Sequence, residues 1–192
     1  FSIRFAFVVL ISLCCSHAAY ATRIAIISDL NSSYGSLDYH SAVGKAVQRI
    51  VQLQPDLVIS TGDMIAGQRI RPLLTREEIE DMWQSFHSRV TVPLKAADLK
   101  LAITPGNHDA SGYGRYNLER RIYAEQWRMK KPALAFVDDH HYPFYYAFKL
   151  GDTLLISLDA TTPGSLEAKQ KQWLNNLLTT EGTTYARRIL FS

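Results

Sequence analysis

The run Leu99-Lys100-Leu101-Ala102-Ile103-Thr104-Pro105-Gly106-Asn107-His108-Asp109 decides how this 192-residue sequence is read. Residues 99–104 are apolar and partly β-branched, which predicts a buried strand. Pro105 and Gly106 stop it, and an amide, an imidazole and a carboxylate follow on adjacent positions. Outward from this run the same grammar appears twice more. Residues 23–28 (RIAIIS) read as a buried strand and enter Asp29-Leu30-Asn31, and residues 57–60 (LVIS) do the same and enter Thr61-Gly62-Asp63. Between them the pattern is helical over 37–54, where Val43, Val47, Ile50 and Val51 share one face. Thr75-Arg76-Glu77-Glu78 is a capping box that opens a helix running to about residue 88. Beyond the central run, residues 117–130 are helical, with Leu118, Ile122 and Trp127 on one face. Residues 145–150 and 153–158 form a hairpin across Gly151-Asp152. A helix over 166–178 with Trp173 inward and a buried strand from 188 to 191 complete the pattern. Strands alternating with helices predict an α/β fold with a partly parallel sheet, organised as one domain.

In open α/β sheets, functional groups gather at the C-terminal ends of strands. Three such ends here carry Asp29 and Asn31, Asp63, and Asn107 with His108. Carboxylate and amide oxygens suit divalent cations, and imidazole suits transition metals. A carboxylate shared between two ions roughly 3.5–4 Å apart clamps a phosphate and lowers the pKa of a bound water. A glycine before Asp63 and another before Asn107 are expected to provide the sharp turns that aim these side chains. One Gly-Asp alone usually marks a turn; Gly-Asn-His-Asp straight after a strand is far more specific.

These motifs resemble those of the calcineurin-like metallophosphoesterases, a family recognised by Asp-x-His, Gly-Asp, Gly-Asn-His-Asp/Glu, a later His and a final Gly-His-x-His. Leu158-Asp159, Pro163-Gly164 and residues 170–174 (QKQWL) also look like the segment that precedes the family's fourth block. The resemblance implies a two-sheet β-sandwich flanked by helices, with two divalent metal ions (Mn, Fe, Zn, Mg or Ca) at the sheet edges. It implies that Asp29 and Asn31 bind the first metal, that Asp63 bridges both, and that Asn107 binds the second. His108 would donate to the leaving-group oxygen or the phosphate, and a metal-bound hydroxide would be the nucleophile. The expected partner is a small phosphorylated substrate, for which Arg115 is a candidate contact through a charge-assisted bond.

The sequence departs from the family pattern at three places. Asn31 stands where the family has histidine, which predicts a looser first site tolerant of Mn²⁺, Mg²⁺ or Ca²⁺; read otherwise, Asn31 is a turn residue that binds nothing. Ala66 stands where relatives carry an Asp or Asn that in some of them orients the catalytic histidine, so His108 lacks its usual orienting carboxylate unless another acid serves. The blocks that supply the family's later histidine ligands are not among the 192 residues, so the chain is read as a C-terminally truncated domain over 22–192, weak or inactive by itself.

Composition narrows the remaining options. A hydrophobic fraction of 47% and a charged fraction of 20% are those of an ordinary globular chain, and a net charge of +3 with scattered basic pairs argues against a nucleic-acid-binding surface. Residues 1–21 read as a signal peptide, with Arg4, an apolar core from 5 to 13 and Ala19-Tyr20-Ala21 before the cut. The apolar run is shorter than the roughly 20 residues of a membrane span. Export to the periplasm or medium follows, with no stable membrane anchor after cleavage. Cys14 and Cys15 lie in this segment, and a lipoprotein reading at Cys14 is the weaker alternative. Among the other histidines, His87 is expected to be structural or at the surface, and Asp138-Asp139-His140-His141 an exposed loop or a substrate rim. His40 is a possible stand-in for the absent imidazole. Two rival functions remain: a degenerate, non-catalytic relative that binds a phosphorylated ligand or protein, and a metallohydrolase of nucleotides or phosphodiesters.

Overall fold

The computed structural model describes residues 21–192. The expected signal segment up to Tyr20, including both cysteines, lies outside the described residues. Among the described residues no helix is long and apolar enough to cross a membrane.

In chain order the elements are β1 (Ile24–Ile27), α1 (Ser41–Leu53), β2 (Leu57–Ser60), α2 (Arg76–Phe86), a π-helical turn (His87–Thr91), α3 (Val92–Ala96), β3 (Leu101–Ile103) and α4 (Asn107–Ala110). A 3₁₀ turn (Gly114–Tyr116), α5 (Asn117–Met129), β4 (Ala135–Asp138), β5 (Tyr146–Leu150), β6 (Thr153–Ser157), α6 (Ala168–Thr180), a 3₁₀ turn (Gly182–Thr184) and β7 (Arg187–Phe191) follow. They build two sheets. The first is parallel, in the order β1-β2-β3, with Ile24 opposite Leu57 and Val58 opposite Leu101. The second runs β4-β5-β6-β7, antiparallel except for the β6–β7 pair. The two-sheet α/β architecture implied by the resemblance is the one observed.

β2 is central and buried at all four positions. The edge of β3 that faces the second sheet meets a side chain instead of a strand. The Ile103 N–H donates to Tyr146 Oη at 3.0 Å, and the same hydroxyl donates to the Ile103 carbonyl at 2.5 Å. Thr104 Oγ1 donates to the Leu158 carbonyl at 2.7 Å, and Ser157 Oγ to the Ile103 carbonyl at 3.3 Å. These bonds join the sheets where no ladder exists and satisfy a buried strand edge. Gln170, buried at the start of α6, holds Asp159 from both sides, donating to its carbonyl and accepting from its N–H.

Several expectations need correction. β1 and β7 are sheet edges, and their apolar runs are not buried throughout: Ile26 is 67% exposed and Leu190 is 46% exposed. An edge strand has one neighbour, so a continuous apolar run does not guarantee two covered faces. The helix opened by the Thr75 capping box continues beyond residue 88 through the π turn into α3. Pro93 lacks an N–H and crowds the carbonyl four residues before it, which accounts for the wide turn. β4 has no counterpart in the sequence reading. In α5 the buried face contains Glu119, Ile122, Tyr123, Ala124 and Trp127, while Leu118 is only half-buried. Trp83, Phe86 and Trp127 pack edge to face across α2 and α5 and enclose His87, which is buried rather than at the surface.

Candidate active site

Asp29 and Asp63 leave β1 and β2 in left-handed backbone conformations, with φ of 51° and 50°. Such conformations are costly for residues other than glycine and collect at functional sites. The two loops are sewn together through the main chain. Leu30 and Asn31 both donate N–H bonds to the Asp63 carbonyl at 3.1 Å, and Asp29 N–H donates to the Gly62 carbonyl at 3.3 Å. The third loop joins through Asp63 as well, since the His108 N–H donates to Asp63 Oδ1 at 3.0 Å. The structure thus brings Asp29, Asn31, Asp63, Asn107 and His108 to one sheet edge, with Asp29 and Asn107 exposed and Asp63 and His108 half-buried.

The two glycines play different parts. Gly62 has φ of 100°, so it makes the sharp turn expected of it. Gly106 has φ of −90°, open to any residue, and its requirement is space. A Cβ there would stand 2.1 Å from the Asp63 nitrogen and 2.2 Å from Asp63 Oδ1. The expectation of a glycine-only turn at Gly106 is therefore replaced by close approach of two loops.

Asp109, the last residue of the central motif, lies beneath these loops. It is fully buried; Oδ1 accepts from the N–H groups of Met64 and Ile65 at 2.8 and 3.0 Å, and Oδ2 from that of Gly106 at 3.0 Å. Burial pushes its carboxyl up to about 7, with the Asp63 charge acting the same way and the backbone donors opposing both. Asp109 ties the Asp63 loop to the Asn107 loop.

His108 is oriented without an acid. Its Nδ1 meets the Gly67 carbonyl at 3.0 Å, and its ring stacks on Tyr34 with centroids 5.3 Å apart. The usual orienting carboxylate is thus missing, as Ala66 led one to expect, and a main-chain carbonyl one residue further on holds the ring. A carbonyl can only accept, so Nδ1 carries a proton and Nε2 is left for chemistry.

Other candidates separate cleanly. Arg115 is exposed, its guanidinium 5.9 Å from the Tyr116 ring centroid, and it shares a shallow depression with Gln68 but with none of the five residues at the sheet edge. His40 caps α1, its Nδ1 occupied in accepting from the Ala42 N–H at 3.2 Å. His140 and His141 are exposed, as expected of a loop; His140 pairs with Asp138, and His141 stacks on Tyr145. Sequence reasoning missed Tyr34, Gly67, Gln68 and Glu119, all of which touch the site or its supports. Their only signal was proximity in sequence to the motifs, and for Glu119 not even that.

Among the described residues no group of three or more His, Cys, Asp or Glu side chains converges in a way that could hold an ion. The side chains that the three loops carry at this edge, Asp29, Asn31, Asp63 and Asn107, offer carboxylate and amide oxygens, which suit a hard divalent cation. Asp63 Oδ2 makes none of the hydrogen bonds that occupy Oδ1.

A model of the calcineurin-like phosphoesterase family matches residues 22–187. The chain belongs to that family. Two solved structures share the family fold. A purple acid phosphatase from yellow lupin (Lupinus luteus) seeds matches with a TM-score of 0.58 at 18% identity, over 88% of this chain and 29% of that one. A dimetal phosphatase from Danio rerio matches with a TM-score of 0.57 at 16% identity, over 88% of this chain and 68% of that one. The chain therefore spans less than a third of the lupin enzyme's length. A search of curated proteins by sequence returns no match.

Proposed function

We propose that these loops hold a dinuclear metal centre that hydrolyses phosphoesters. One observation carries the reading: loops from three parallel strands meet at Asp63, which binds the first loop through its carbonyl and the third through its carboxylate. Asp29 and Asn31 would hold one ion, Asp63 both, and Asn107 the second. Bound there, such ions act as Lewis acids on phosphoryl oxygens and acidify water. The chain's own residues do the rest. Asp109 fixes the spacing of the loops, Gly62 and Gly106 let them approach, and the Gly67 carbonyl keeps one proton on His108 Nδ1, so that Nε2, when the ring carries a second proton, is the nitrogen that would give it to a departing oxygen. Arg115, at the rim beside Gln68, is the proposed contact for a small phosphorylated substrate.

Among the described residues, Asp63 and Asn107 are those proposed for the second ion. Residues 1–21 are proposed as an export signal, which N-terminal sequencing of the exported protein would show by a start at Thr22. Hydrolysis of mono- and bis-nitrophenyl phosphate with Mn²⁺, against a chelated control, tests the enzymatic reading. Mn²⁺-dependent release supports it. A second reading, a non-catalytic binder of a phosphorylated ligand or a protein partner, is favoured by Asn31 and Ala66, which stand where the family pattern has other residues. Phosphate binding with no turnover at any metal concentration would establish that reading instead.

A further inference from the structure

Gln68 sits beside the proposed metal edge with φ of 66°, a conformation that side chains rarely adopt. Three contacts hold it there. Its N–H donates to both oxygens of Glu119 at 3.2 Å, and its carbonyl accepts from Tyr116 Oη at 3.5 Å. Its side-chain Oε1 accepts from Asn107 Nδ2 at 3.3 Å. Glu119 is 3% exposed, and a carboxylate is costly to bury unless it is hydrogen-bonded. The residue before it is fixed as tightly, since a Cβ on Gly67 would lie 2.0 Å from the His108 carbonyl oxygen. Strain held in place by a buried acid, next to a site, marks a backbone position that the surroundings over-determine.

The consequence concerns the Asn107 amide. One end of an amide accepts and the other donates, so only one of its two orientations offers oxygen to a cation. We propose that Gln68 is a positioning residue: by accepting the Asn107 Nδ2–H it fixes the amide so that Oδ1 is the end offered to a divalent cation. Glu119 acts one layer further out by holding the Gln68 backbone. This inference rests on the reading of Asn107 as a metal ligand.

The test compares wild type, Gln68→Ala and Gln68→Glu in the full chain, following Mn²⁺ binding by electron paramagnetic resonance and the Asn107 side-chain NH₂ signals by NMR without metal. Gln68→Ala should weaken Mn²⁺ binding about 10- to 100-fold, the range for lost partners of metal ligands. Its Asn107 NH₂ signals should move and lose protection. Gln68→Glu keeps an acceptor and should remain near wild type in both readouts, which a purely structural role would not require. Should Gln68→Ala fail to fold, Gln68→Met fills the same space without an amide and takes its place. Wild-type Mn²⁺ affinity in the Ala or Met variant, or unmoved Asn107 signals, would overturn the inference alone. A wild type that binds no Mn²⁺ would overturn the metal reading and this inference with it.

Discussion

Acid should weaken this fold through His87, and the size of the effect follows from its surroundings. The imidazole is 6% exposed, is enclosed by Trp83, Phe86 and Trp127, and meets Thr91 Oγ1 through Nδ1 at 3.0 Å. Burial, and then the positive charge of Lys130, hold its pKa down from 6.5 to about 4, with Gln126 a smaller opposing influence. A depressed histidine pKa means that the unfolded chain binds the proton first. The stability it contributes is complete above its unfolded pKa of 6.5 and is lost as pH falls through about 4. At about 1.4 kcal/mol per pH unit, acidification from about pH 7.5 to about pH 4.5 should cost about 2.5 kcal/mol through this residue. Two buried carboxylates act the other way: Asp109 and Glu119 are both raised to about 7, chiefly by burial, so each stabilises the fold when protonated and loses that contribution as pH rises. The wild-type profile therefore mixes signs, and the comparison with His87→Phe isolates the histidine. Urea unfolding of both proteins across this range gives the difference directly. The stability of wild type relative to the variant should fall by about 2.5 kcal/mol on acidification. A difference that changes by less than about 0.5 kcal/mol would refute the account of His87 as a buried neutral ring.

Two further substitutions test how the loops and sheets are joined. Gly106→Ala places a Cβ 2.1 Å from the Asp63 nitrogen. Backbone must move, so a loss of about 2–4 kcal/mol in urea unfolding and a fall in Mn²⁺ affinity are expected together. Tyr146→Phe removes the hydroxyl that satisfies both the N–H and the carbonyl of Ile103. Ser157 Oγ still donates to the carbonyl, so the Ile103 N–H is left unpaired, which should cost about 1–3 kcal/mol by the same assay, with little change in metal binding.

Much of the frame was legible because it depends on local pattern. The three strand ends at Asp29, Asp63 and Asn107, the capping box at Thr75 and the hairpin at Gly151 are all read from short windows, and all are present. Loop convergence could be expected from the parallel order of β1, β2 and β3. What escaped depends on partners distant in sequence. Glu119 lies 51 residues from Gln68, and its burial under that N–H has no periodic signature on α5. Asp109 reads as one more acid of the motif until its three backbone donors, two of them about 45 residues away, are seen. Ile26 and Leu190 looked buried because apolar runs do not reveal which strand will be an edge. β4 is four residues long and only partly covered, too short and mixed for its period to stand out.

The most direct test of the central claim is Mn²⁺ binding to wild type and to Asp63→Asn. Asparagine keeps an oxygen to accept the His108 N–H but removes the carboxylate proposed to serve both ions. At least about a tenfold loss of affinity in the folded variant is expected, because one charged oxygen ligand is gone from the set. Equal affinity in the two proteins would contradict the claim that the loops meeting at Asp63 form a metal site.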